Sequence, residues 1–184
     1  MNDTGREEAR LAGEWLKGEK IDAAYSSPLS RAVETAEIIV CHHALTVRKL
    51  EGLSDLNYGD WQGLPLAEVK EKYSDLYRQW ETMPETVRFP HGETLEEVRV
   101  RALAAVDEVL LRHPDRKILL VAHRVVNKVL IASFIGLDNS HFWRIGQDTT
   151  AVNRFDKVGP IWNILAINDT CHLRSLSRSP YIDF

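Results

Sequence analysis

Apolar and polar positions change period several times along this chain, and each change marks an element. Leu11, Trp15 and Leu16 line one face of a helix at 3.6-residue spacing. The capping box Thr4-x-x-Glu7 opens that helix and Gly18 is placed to end it. The run from Ile21 to Ser26 reads as a short buried strand. Pro28 stands where a helix can start, and residues 32–40 continue it. Residues 44–50 read as a second strand around Leu45 and Val47. The stretch 51–93 is less regular. It holds Gly52, Gly59, Gly63, Pro65, Pro84, Pro90 and Gly92 around a predicted helix over 66–80, and it reads as an insertion or lid. A second capping box, Thr94-x-x-Glu97, opens a long helix to about Arg112. Residues 117–122 form the most hydrophobic strand and lead into a helix over 125–135. Strands over 151–155 and 162–167 flank a turn at Gly159-Pro160.

Strands alternating with helices predict an α/β three-layer sandwich, with a mostly parallel central sheet flanked by helices. No linker or repeat divides the chain, so one domain over 1–173 is expected, with a loose polar tail over 174–184. A length of 184 residues suits one domain with a real core, and 44% hydrophobic with 27% charged residues is the balance of a globular protein. The net charge of −4 argues against bulk binding of nucleic acid, while leaving room for a local basic pocket. No run approaches the ~18 apolar residues of a membrane span, and the first residues carry no secretory pattern. Cys41 and Cys171 make no CxxC spacing and no disulfide framework, so a reducing cytoplasm is the expected location.

Two strand-to-helix junctions carry the candidate chemistry. In Ile118-Leu119-Leu120-Val121-Ala122-His123-Arg124 an apolar strand ends on an imidazole and a helix begins at once. Unpaired N–H groups at that helix start suit an anion. A histidine at a strand end of an α/β sheet can donate to a phosphoryl oxygen or move a proton. The second junction, Ala23-Ala24-Tyr25-Ser26-Ser27-Pro28-Leu29-Ser30-Arg31, adds the Ser27 hydroxyl and the Arg31 guanidinium, a bidentate partner for phosphate. The bland reading pairs Arg31 with Glu34 or Glu37 on its own helix. Asp55, in Leu53 to Gly63, is a turn aspartate or, beside a phosphate, a general acid.

These segments, in order, resemble the histidine phosphatase superfamily, the phosphoglycerate-mutase-like enzymes. The resemblance rests on Ser26-Ser27-Pro28-Leu29-Ser30-Arg31-Ala32-x-x-Thr35-Ala36, on Asp55 to Gly63, on Phe89-Pro90-His91-Gly92-Glu93-Thr94 and on Val121-Ala122-His123. It runs from Asn2 to about Asn168. It implies transfer of a phosphoryl group from a small phosphomonoester to a histidine and then to water or another hydroxyl, without a metal or other cofactor. Arg31 would bind the phosphate, His123 would be the second pocket histidine, and Asp55 would stand where the family usually has a glutamate proton donor. Arg124 follows His123 where glycine is common, so its part would rest on its backbone N–H.

The family's nucleophile lies in an Arg-His-Gly motif on a first strand, upstream of the helix that starts near Thr4. The resemblance therefore implies that this strand and the nucleophile are missing here. The chain as given would then be inactive and its sheet would have two unpartnered interior edges. Arg112-His113-Pro114 matches by letters alone, since it ends a helix and has proline for glycine. The alternative is a non-catalytic phosphate-binding or interaction module. A metal hydrolase on Cys41-His42-His43 and Cys171-His172 lacks a standard ligand spacing, and a dinucleotide enzyme lacks a GxGxxG after a strand. The expected partner is a small phosphorylated metabolite, with neither nucleic acid nor membrane, and a homo-oligomer remains open. Substrate choice is expected to fall to the lid, through Trp61, Tyr73, Tyr77, Trp80 and Arg88.

Overall fold

Ala23–Ser26 (β1) is buried at every position because it is the middle strand of a parallel sheet. The computed structural model describes residues 1–176. Val47–Lys49 (β2) pairs with one side of β1, Ala24 opposite Val47. Ile118–Val121 (β3) pairs with the other side, Ala24 opposite Leu119. Side chains alternate across the sheet. Leu119 and Val121 pack with Ala12 and Leu16 of Asp3–Leu16 (α1) and with Ile39 of Ser30–Ile39 (α2). Ile118 and Leu120 pack, with Ala23 and Tyr25, against Val109 of Leu95–Arg112 (α5). The fold is thus α/β, with the sheet between two helical layers.

Several boundaries move for local reasons. Asn2, not Thr4, caps α1. Its side chain accepts the Gly5 N–H at 2.9 Å, so the helix starts at Asp3 and Thr4 lies inside it. Leu29 rather than Pro28 immediately precedes α2. The helix predicted over 66–80 is two helices, Leu66–Lys72 (α3) and Ser74–Thr82 (α4). Tyr73 leaves helical geometry between them at φ −127° and ψ 38°, and Val69, Tyr77 and Trp80 are all buried. The Thr94 capping box forms as predicted, with both reciprocal bonds made.

Residues 51–93 pack into the body of the domain. Leu53, Leu56, Trp61, Val69, Tyr77, Trp80 and Phe89 join Val98 and Ala102 of α5 and Val125 and Val129 of Arg124–Phe134 (α6) in the largest apolar core. This insertion is one wall of the site.

Every residue of β3 is only half-buried, because β3 is an edge strand among the described residues. Val152–Val158 (β4) and Ile161–Asp169 (β5) form a separate antiparallel hairpin. Between β3 and β4 runs a cleft of about 1400 Å³, lined by Leu119 and Val121 on one side and by Val152 and Phe155 on the other. No helix among the described residues is long and apolar enough to cross a membrane. The tail expected from residue 174 lies, from 177 onward, outside the described residues.

Candidate functional site

Parallel strands deliver their C-terminal ends to the same edge of the sheet, and here two of those ends meet. β1 runs into Ser27, whose N–H donates to the Val121 carbonyl at 2.9 Å, so the β1 and β3 exits are tied together. Arg31 follows in the first turn of α2. On the neighbouring strand His123 occupies the cap position of α6 in extended geometry, with no side-chain cap bond, and Arg124 is the first helical residue. The loop after β2 brings Asp55 over both junctions.

The three side chains converge. Arg31 Nη2 lies 2.7 Å from Asp55 Oδ2, and the same oxygen lies 3.4 Å from His123 Nδ1. His123 Nε2 is 2.8 Å from Ser27 Oγ. The carboxylate favours the proton on Nδ1, which leaves Nε2 to accept from the Ser27 hydroxyl. That hydroxyl in turn accepts the Leu29 N–H at 3.3 Å. Ser27 is fully buried, so it orients the imidazole from below. His123 is buried, while the Arg31 side chain is 54% exposed and can reach a ligand from solvent. Burial is the largest influence on His123 and pushes its pKa below the ordinary value. The Asp55 charge opposes this, and the Arg31 and Arg101 charges add to it. Burial thus favours the neutral imidazole.

The bland reading of Arg31 does not hold, since Glu34 is taken by Arg6 at 2.6 Å and Arg31 turns to Asp55. Asp55 is likewise more than a turn residue, although its Oδ1 also accepts the Leu56 N–H at 3.0 Å.

The sequence reading missed Arg101. Its half-buried guanidinium makes five hydrogen bonds. It donates to the carbonyls of Gly52 at 2.9 Å, Ser54 at 2.7 Å and Asp55 at 3.0 Å, and to both Glu93 oxygens at 2.8 and 3.0 Å. Glu93 in turn accepts the Asn57 N–H at 2.9 Å. Arg101 thus clamps the loop that presents Asp55. The available signal was a charge on the apolar stripe of α5, beside Leu95, Val98, Ala102 and Ala105.

All seven histidines of the sequence lie among the described residues. His113 bonds the Tyr25 hydroxyl at 2.9 Å, His91 meets Asp60, His42 meets Glu14, His141 meets Asp138, His172 stacks on Trp15, and His43, next to His42, has a buried Nε2 without a hydrogen-bond partner among the described residues. Cys41 and Cys171 are exposed thiols. No group of three or more His, Cys, Asp or Glu side chains among the described residues could hold a metal ion.

The chain matches the histidine phosphatase superfamily (branch 1) over residues 1–170 and belongs to that family. It is 33% identical over 173 residues to phosphoserine phosphatase 1 of Hydrogenobacter thermophilus, a match that covers 94% of this chain and 82% of that one. Among solved structures, Bacillus stearothermophilus YhfR superposes with a TM-score of 0.91 at 28% identity, covering 95% of this chain and 87% of its own. A mycobacterial glucosyl-3-phosphoglycerate phosphatase in complex with inorganic phosphate superposes with a TM-score of 0.84 at 25% identity, covering 94% and 88% of the two chains. Family and relatives together establish a phosphatase-type protein.

Proposed function

We propose that this chain is the body of a phosphomonoesterase that works through a phosphohistidine, and that the phosphate of a small phosphorylated metabolite binds where Arg31, Asp55 and His123 meet. The observation that carries this reading is their convergence at two strand exits, with a guanidinium, a buried imidazole and a helix N-terminus around one point. A bound phosphate takes over the Arg31 guanidinium from Asp55 and draws on His123 and on the Arg124 backbone N–H. Asp55, freed from that ion pair and beside a dianion, is held protonated and gives its proton to the leaving oxygen as the O–P bond breaks. In the same step an N–P bond forms to a nucleophilic histidine, and water later cleaves it. The phosphatases among the similar proteins support hydrolysis over transfer to a second hydroxyl.

The nucleophile is proposed to come from outside the seven histidines of this chain. The cleft between β3 and β4 supports this. It is lined by residues of both strands and reaches His123. Among the described residues β3 has no strand on its outer side, and an extended segment there can pair with it. The second reading, a phosphate-binding module without turnover, is favoured by the single histidine at this spot. Binding and turnover separate the two. The 184-residue chain is expected to bind inorganic phosphate saturably and to release none from phenyl phosphate. Adding an extended peptide that carries Arg-His-Gly after an apolar run is expected to restore turnover and a trapped phosphohistidine. Failure to bind phosphate refutes the site. Binding that no such peptide converts to turnover favours the module.

The ligand is proposed to be met in a reducing cytoplasm, in keeping with the two free thiols.

A further inference from the structure

Beside the phosphate pocket lies a second cavity of about 600 Å³, within the size range of small-molecule sites. Arg31 and Asp55 line both this cavity and the larger cleft, so the two spaces meet at the phosphate-binding groups. Away from that junction the lining is mostly apolar and aromatic, with Leu29, Tyr58, Trp61, Leu64, Tyr77 and Trp80, and it includes the uncharged polar groups of Ser54, Asn57 and Gln62. Arg31 and Asp55 are its only charged lining residues, and they neutralise each other at 2.7 Å.

One detail marks the cavity as open to a ligand and not only a core defect. Leu29, 37% exposed, holds an apolar side chain at the mouth, next to Arg31 in sequence.

The geometry points to a substrate whose leaving group is a bulky, uncharged, apolar or aromatic alcohol. This rests on the phosphate assignment above and deepens it. With its phosphate on Arg31, such a monoester places its body in the aromatic cavity and its bridging oxygen beside Asp55. A leaving group with a carboxylate and an ammonium, as in phosphoserine, would have to bury both charges against Leu64, Trp61 and Trp80 with no counter-ion to meet them.

The test measures binding of inorganic phosphate, 1-naphthyl phosphate and phosphoserine to the 184-residue chain by calorimetry. The expected result is that naphthyl phosphate binds at least tenfold more tightly than either of the others. Leu29→Gln, a change at an exposed position, should remove most of that advantage and leave the affinity for inorganic phosphate unchanged. Phosphoserine binding as tightly as naphthyl phosphate overturns the inference, and so does naphthyl phosphate binding no better than inorganic phosphate. If inorganic phosphate itself fails to bind, the phosphate assignment falls and the cavity is judged by 1-naphthol alone. Weak binding of naphthol that Leu29→Gln weakens further supports the cavity, and its absence overturns it.

Discussion

Replacing Arg101 by Met should destabilise the protein and loosen the Asp55 loop together. The change keeps the apolar stem and removes the guanidinium with its five hydrogen bonds. Charged hydrogen bonds contribute about 1.5–3 kcal/mol each, so a simple sum would rival the whole ~5–15 kcal/mol stability of a domain. Additivity fails here because the bonds share one group. Loss of one partner from a buried pair costs about 3–5 kcal/mol. The Arg101 and Glu93 side chains are 23% and 25% exposed, so water rescues part of this loss. The expected cost is ~2–4 kcal/mol. Arg101→Lys keeps the charge but offers no planar fork to three carbonyls, and should recover only about 1 kcal/mol. Urea unfolding measures the stability. Amide exchange at Asn57, whose N–H is held by Glu93, measures the loop and should speed up in the Met variant. A Met variant within about 0.5 kcal/mol of the parent, with unchanged exchange at Asn57, would refute the clamp.

Further outcomes are expected at the site and in the backbone. Arg31→Ala should weaken phosphate binding by roughly ten- to a hundredfold, since the guanidinium is the exposed anion partner; calorimetry at low and high salt checks it. Burial holds His123 below its ordinary pKa of 6.5, so the unfolded chain takes up the proton first as pH falls. Stability from this group is complete above about pH 6.5 and is lost as pH falls through the lower folded pKa. His123→Gln should flatten that slope in denaturation curves taken between neutral and mildly acidic pH. Gly59→Ala should cost more than ~2 kcal/mol, because the position has φ +54° and a Cβ would sit 1.9 Å from the Pro90 carbonyl oxygen. Gly63→Ala, at φ +80° with nothing within 4 Å, should cost only the backbone strain, about 1 kcal/mol. Equal midpoints in urea would remove the steric part of that argument.

Much of the site was legible because local chemistry announces it. A strand that ends on His123 and turns at once into a helix is a sequence-local event, and so is Arg31 one turn after Ser27. The Thr94 capping box was legible for the same reason, since its bonds span three residues. The elements that went astray depend on distant partners. One stripe over 66–80 became two helices because Val69 and Trp80 had to reach the same core from different directions. The choice of Asp55 over Glu34 as partner of Arg31 depended on Arg6 of α1 having taken Glu34. Arg101 looked like an ordinary helix charge until three carbonyls from residues 52–55 were folded against it.

The sequence by itself determined the alternation of strands and helices, the family and the identity of the groups that can meet a phosphate, because periodicity, caps and strand exits are encoded within a few residues. Only the tertiary structure decided that Ser27 holds the imidazole and that Arg101 holds the Asp55 loop. Those facts are set by which surfaces pack across the sheet. Burial, and with it the charge state of His123, belongs to the packed molecule and to no local stretch of chain.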